Sequence, residues 1–306
     1  MTLASWRIRT PEVGATLTWT PLQKGVSMFT RKPAGRRPLL IGFVLALVAL
    51  LALGAGGPAG ADTRADQRPR PTIVLVHGDW ADGSSTWAGV IERLQDKGFA
   101  VVAPPNMLRG PVADAPYLAR YLQTIPGPIV LVAHSYGGFV ITNAATGNTN
   151  VKALVYIDGF MPDEGETGND LIANSGSCIG DSALNAVPYD GGVDLYLRWE
   201  ANPPYPGFND CFANGVGPVD AAVLAAAQRP AAYAQFIEPS GPPAWKTIPS
   251  WSLIGTLDHV IPRALLEEMS SRAGARISRV GAGHLTPVTR PDDVTKVILS
   301  AVDATT

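Results

Sequence analysis

The chain has 306 residues, is 46% hydrophobic and 16% charged, and carries a formal net charge of −2. That is room for a leader and one large α/β domain, and it excludes a disordered chain. From residue 62 onward 17 basic residues stand against 25 acidic ones, a net of −8. A chain so acidic has no basic surface for phosphate backbones, which argues against nucleic acid as a partner.

Residues 1–61 read as a secretory signal. Arg31, Lys32, Arg36 and Arg37 precede the uncharged apolar run 39–53, small residues fill 54–60, and Ala59-Gly60-Ala61 has the form of a cleavage site. The expected cut lies between Ala61 and Asp62. Fifteen apolar residues are short for a membrane anchor, so none is expected after cleavage. Arg36-Arg37 loosely resembles a twin-arginine signal, and Met28 offers an alternative start. The polar, Pro-containing stretch 62–71 reads as a linker.

The domain then alternates strands with helices. Residues 72–76 (TIVLV) form a strand that runs into His77-Gly78-Asp79-Trp80. A helix is expected over about 87–97, with Val90, Ile91 and Leu94 on one face and Gly98 closing it. Residues 99–103 form a second strand, ended by Pro104-Pro105. Asp114 is placed to cap a helix reaching about residue 124. The β-branched run 129–132 is a buried strand. It turns through Ala133-His134-Ser135-Tyr136-Gly137-Gly138 into a helix ending near 146. Strand–turn–helix around a serine is the context of a nucleophile elbow, although Ala133 replaces the usual first Gly and the serine of a tight βα turn can be incidental.

Residues 151–157 form the next strand, ending in Asp158-Gly159. Between about 160 and 247 the rhythm is lost in Pro, Gly, Asn and aromatic residues, with one helical piece over 220–228. This reads as a helical or irregular cap over the sheet's C-terminal edge, where open α/β sheets bind ligands. The rhythm returns with strand 249–255, a helix from Pro262 to about 272, strand 276–280 and a helix over 292–302. The expected fold is a mostly parallel, doubly wound sheet of about six strands, with the cap inserted after the strand that follows the elbow.

Two cysteines, Cys178 and Cys211, both fall in the cap. In an exported chain a lone pair implies a disulfide, which would contribute about 3–4 kcal/mol by restricting the unfolded cap; two buried thiols are the alternative. No Cys/His ligand spacing occurs, so no metal and no cofactor is expected.

Ser135, Asp258 and His284 each follow a strand, and Ser…Asp…His is the order of a hydrolase triad. A serine hydroxyl needs a histidine to take its proton, and a carboxylate to hold that histidine in the right tautomer. Asp158 also follows a strand and competes with Asp258 for the acid role.

The segments VLVHGDWADGSSTW, LVAHSYGG, DGFMPDEG, LIGTLDHVIP and GAGHLTPVTRPDD together resemble the α/β-hydrolase superfamily over about residues 71–304. Within it they resemble the small branch of plant methyl-ester esterases and hydroxynitrile lyases. The resemblance implies an α/β-hydrolase fold and an oxyanion hole formed by the backbone N–H groups of Asp79 and Tyr136. It favours Asp258 over Asp158 as the acid. Asp79 stands where such enzymes often carry Ala, and its side chain is expected to turn away, toward solvent or a capping role. His77 is expected to shape the oxyanion loop, and His259 to be a surface neighbour of the acid. Trp80, His134, Phe160 and Leu285 are the candidates for lining the pocket, with His134 also read as structural; of Trp80 and Trp87, one is expected in the core.

The expected activity is hydrolysis of a small apolar carboxylic ester or lactone by an exported serine enzyme. A cyanohydrin lyase is the alternative, but lyases of this branch carry Lys directly after the catalytic His, where this chain has Leu285. A non-catalytic ligand-binding homologue is a third reading. Oligomeric state is not legible.

Overall fold

The computed structural model describes residues 69–199 and 207–305. The expected leader and almost all of the expected linker lie outside these residues. Among the described residues no helix is long and apolar enough to cross a membrane.

The first half runs β1 (Thr72–Val76), α1 (Gly83–Asp96), β2 (Val101–Val102), α2 (Pro111–Gln123), β3 (Ile129–His134), α3 (Gly137–Ala144) and β4 (Val151–Ile157). An insertion follows, with α4 (Gly168–Ile172), β5 (Leu184–Tyr189), β6 (Gly192–Leu197), α5 (Phe208–Cys211), α6 (Pro218–Ala226), β7 (Ala231–Ala232) and α7 (Ala234–Ile237). The chain then rejoins the sheet with β8 (Ser250–Gly255), α8 (Arg263–Arg272), β9 (Arg276–Val280), α9 (Thr286–Thr289) and α10 (Pro291–Thr305). Six strands pair in parallel in the order β2-β1-β3-β4-β8-β9.

Successive side chains of a strand point to opposite faces, so a sheet covered on both sides must be apolar at nearly every position. β3 shows this: Val130 and Val132 pack on one side with Trp87, Val90 and Leu94 of α1 and Ile298 of α10. Ile129, Leu131 and Ala133 pack on the other with Leu118 of α2, Phe139 of α3 and Leu266 of α8. These continuous runs are why the central strands are readable in the sequence.

Boundaries differ where capping rather than periodicity sets them. α1 begins a turn before Trp87, because Asp82 accepts from Ser85 N (2.8 Å) while Ser85 Oγ accepts from Asp82 N (3.0 Å). α2 starts at Pro111, whose missing N–H suits a first helical position. Asp114 therefore lies inside the helix, turned back onto the N–H groups of Arg109 (2.9 Å) and Gly110 (3.3 Å). β2 is an edge strand of only two residues, cut short before Pro104-Pro105.

The insertion is not purely helical or irregular. It holds a three-stranded antiparallel sheet in the order β5-β6-β7. The turn between β5 and β6 carries Asp190-Gly191, with Gly191 at φ +96°, a hairpin signal present in the sequence. A disulfide joins Cys178 to Cys211.

Candidate active site

Register brings the strand ends together. Ala133 pairs with Val76, His134 with Ile157, Ile157 with Leu253, and Gly255 with Val280. Residues just past these pairs emerge at one edge, and they include Gly78, Ser135, Asp158, Asp258 and His284. The insertion sits over this edge. Trp80 Nε1 donates to Leu195 O (3.0 Å), Ala232 N to Leu108 O (3.0 Å), and Asn214 Nδ2 to Leu257 O (2.7 Å).

Ser135 is buried in a turn with φ +54°. A non-glycine residue in the left-handed region stores strain of about 1–3 kcal/mol, so the surrounding structure must impose it. It does so by close approach. A Cβ on Gly137 would lie 2.6 Å from Val76 O, and one on Gly78 would lie 2.6 Å from Ser135 Cβ and 3.1 Å from its Oγ. A Cβ on Gly138 would collide with Phe160 O. Phe160 N in turn donates to Ser135 O (3.2 Å). Ala133 lies inside β3 with room for its methyl group, and replaces the usual glycine there without disturbing the turn.

His284 is fully buried, and its Nδ1 lies 2.8 Å from Asp258 Oδ2. The other Asp258 oxygen accepts from Val260 N (2.8 Å) and Ile261 N (2.9 Å). With Nδ1–H donated to the carboxylate, Nε2 is left bare, and it has no hydrogen-bond partner among the described residues. No hydrogen bond joins it to Ser135 Oγ; such contacts are often longer before substrate binds. Burial lowers the His284 pKa and favours the neutral imidazole a base requires. His134, the residue before Ser135, places its ring 4.7 Å from that of His284 and donates from Nε2 to His284 O (2.9 Å). It holds the His284 backbone and packs against its ring.

Asp158 does not reach His284 Nδ1. Its Oδ1 accepts from Gly255 N (2.6 Å), and its Oδ2 is buried without a hydrogen bond. Burial, then the nearby Asp258 charge, raise its pKa well above the usual carboxylate range. Burial raises the Asp258 pKa in the same direction, but Asp258 also accepts from two backbone N–H groups, which favour its ionised form, and from His284 Nδ1, whereas Asp158 Oδ1 accepts from Gly255 N.

Neither the Asp79 N–H nor the Tyr136 N–H is engaged in a hydrogen bond among the described residues. His77 shapes this loop. Its Nε2 accepts from Asn106 N (3.1 Å) and its Nδ1 donates to Gly78 O (2.9 Å), while Asn106 Nδ2 donates back to His77 O (3.0 Å). That pattern requires a neutral ring, and burial holds its pKa down to about 4.

The Asp79 side chain departs from expectation. It is buried, and Oδ1 has no partner. Burial, with Asp114 beside it, pushes its pKa well above the carboxylate range. Of the other expected pocket residues, Trp80 faces the insertion, 5.7 Å edge-on to Phe212, and Leu285 is buried beside His284. Phe160 packs on Phe139 with ring centroids 5.4 Å apart and planes tilted by 55°. Trp87 is fully buried in the core beneath the sheet, and Trp80 is buried in the core on the other side.

Several contributors escaped the sequence reading. Phe212 lies 5.3 Å from the His284 ring, and Asn214 Oδ1 accepts from His284 N (3.3 Å). Cys178 N donates to His259 O (2.8 Å), Ser177 Oγ to Val260 O (2.6 Å), and the His259 ring to Asp210 O (2.8 Å). The insertion thus grips the segments that carry Asp258 and His284. Only the aromatic content of the insertion hinted at this; no spacing reports it.

A parallel sheet with a serine elbow and a buried Asp–His pair at one edge defines a hydrolase architecture, and the chain belongs to the α/β hydrolase family, matching it over residues 73–297. A carbendazim-hydrolysing esterase from Nocardioides sp. is 31% identical over 108 residues, 31% of this chain and 44% of that protein, so the chain spans less than half of that relative. A pyrethroid hydrolase from Sphingobium faniae superposes with a TM-score of 0.62 at 19% identity, covering 76% of this chain and 98% of its own. A methylesterase from Arabidopsis gives 0.61 at 17% identity, with 76% and 99% covered. An extracellular α/β-hydrolase from a Paenibacillus species gives 0.57 at 21% identity, with 76% and 98% covered.

Proposed function

We propose that the protein is an exported serine hydrolase that cleaves a carboxylic ester or lactone through an acyl-enzyme. The observation that carries this reading is the buried His284, bonded through Nδ1 to Asp258 and left bare at Nε2, beside the strained elbow of Ser135. His284 takes the hydroxyl proton as Ser135 Oγ bonds to the carbonyl carbon. The carbonyl oxygen becomes an oxyanion held by the free N–H groups of Asp79 and Tyr136, one such donor being worth about 3–4 kcal/mol in the transition state. Asp258 stabilises the imidazolium. The tetrahedral intermediate collapses as His284 hands its proton to the departing alcohol oxygen. Water, deprotonated by His284, then attacks the acyl-enzyme and frees the acid and Ser135.

The name of the Nocardioides relative supports ester hydrolysis, and so does the absence of Lys after His284. Export is supported by the leader-like residues 1–61 and by the Cys178–Cys211 disulfide, which persists in oxidising compartments. The aromatic insertion suits a small, largely apolar substrate.

The test is a panel of esters graded in acyl and alcohol size, with lactones, against wild type and Ser135→Ala. Turnover by wild type, its loss in Ser135→Ala, and fluorophosphonate labelling of Ser135 are expected. Cyanide release from mandelonitrile without ester turnover would overturn the proposal.

A further inference from the structure

The residue beside the oxyanion loop carries an unexplained feature. Asp79 is 6% exposed and Gln235 of α7 is 2% exposed, yet Asp79 Oδ1 and both polar atoms of the Gln235 amide lack hydrogen-bond partners. The two side chains are neighbours, the Gln235 amide lying close enough to favour the Asp79 carboxylate although no well-formed hydrogen bond joins them. Buried polar groups are paired in nearly all native structures, and a cluster of unpaired ones calls for a reason. A structural role would have paired them with each other or with the backbone.

The surroundings place the cluster next to the chemistry. Asp79 follows Gly78, which packs against Ser135. Tyr136, the residue after Ser135, donates its hydroxyl to Asp114 Oδ2 (2.9 Å), and Asp79 lies within electrostatic reach of that same phenol. The groups acting on Asp79 are Asp114 and the Gln235 amide, with no cation among them. An ionised Asp79 would therefore be opposed by burial and by Asp114, and it would also oppose an oxyanion at its own N–H. A neutral carboxylic acid beside a carboxamide offers at least one donor and one acceptor to a third polar group.

We propose that Asp79 and Gln235 form a polar subsite that recognises a neutral hydrogen-bond-donating group, a hydroxyl or an N–H, on the acyl part of the ester close to the scissile carbonyl. This rests on the hydrolase reading and narrows its substrate: an ester of a hydroxy or acylamino acid in place of a plain hydrocarbon acid. The substrate group occupies the atoms left unpaired, and Gln235 brings the insertion's own residue into recognition. A site built to bond such a group rejects the hydrocarbon isostere, because its buried polar atoms are then left unpaired.

Two isosteric pairs test this: methyl lactate against methyl isobutyrate for a hydroxyl, and N-acetylglycine methyl ester against methyl levulinate for an N–H. Wild type is expected to favour the donor-bearing member of at least one pair by about tenfold or more in kcat/KM, and the pair that responds identifies the donor. In Gln235→Met, which keeps length and loses the amide, the ratio is expected to fall to about one. Asp79→Asn, which keeps a donor and an acceptor, is expected to retain part of it. Equal kcat/KM within both pairs, with Ser135 still labelled by fluorophosphonate, overturns the subsite and leaves the hydrolase standing. A ratio unchanged in Gln235→Met also overturns it. No turnover of any ester and no label at Ser135 overturns both.

Discussion

At the scale of single residues, the two strand-end carboxylates are distinguished by their partners. Asp258 accepts three hydrogen bonds, one from His284, whereas Asp158 accepts one from Gly255. Asp258→Asn is expected to lower kcat/KM by about 10³–10⁴, the cost of the wrong imidazole tautomer. Asp158→Asn is expected to retain most activity, because the His284 Nδ1 bond goes to Asp258 and Asp158 makes none to that ring; steady-state kinetics on both variants checks the assignment. Burial also lowers the pKa of His284. Catalysis needs the neutral ring, so activity is lost as pH falls through that pKa. The acid limb of kcat/KM is expected below pH 6.5, and a pH–rate profile over the stable range reads it. A limb above 6.5 would mean that the Asp258 charge outweighs burial.

At the scale of elements, α3 can begin where it does only because glycines let three segments meet. Gly138→Ala drives a methyl group into Phe160 O, and is expected to cost roughly 1–3 kcal/mol or more, as overpacking does. A denaturant titration measures it. The insertion is the other element-scale device. Its disulfide joins Cys178, bonded to the loop after Asp258, to Cys211, which adjoins Phe212 and lies three residues before Asn214 at His284. Arg109–Asp194 (2.7 Å) and the bidentate Arg272–Glu166 pair (2.6 and 2.7 Å) add ties from the insertion to the body. Replacing both cysteines with Ser is expected to cost about 3–4 kcal/mol of stability. It is also expected to lower kcat/KM by about ten- to a hundredfold, since small misplacements of a catalytic group are expensive. A stability loss with unchanged kcat/KM would show that the disulfide only stabilises the fold.

At the scale of the whole molecule, stability carries the mark of a buried neutral histidine. His77 must accept from Asn106 N, and its folded pKa is lowered to about 4 from 6.5. Above pH 6.5 the ring is neutral both folded and unfolded. Between 6.5 and 4 the unfolded chain binds the proton first, so stability falls with falling pH by up to roughly 3 kcal/mol. Denaturant midpoints across that window are expected to decline, and less so in a His77→Gln variant. The proposed export is checked by mass spectrometry of the protein secreted by an expressing host, which is expected to find a new N-terminus at Asp62.

The sequence by itself determined the succession of strands and helices along the chain, the positions of Ser135, Asp258 and His284 past strand ends, and the existence of an insertion with a cysteine pair. It could do so because a doubly covered parallel sheet demands continuous apolar runs, and because small-residue turns leave a local signature. Helix starts were less legible, since reciprocal bonds such as Asp82 with Ser85 set them and hydrophobic periodicity does not. Only the tertiary structure decided that His284 takes Asp258 as its partner and leaves Asp158 aside, and that Asp79 is buried. It alone brought His134, Phe212, Asn214 and Gln235 to the site. Those outcomes depend on contacts between segments far apart in the chain, whose geometry is fixed by strand register and by the docking of the insertion, and no local pattern encodes either.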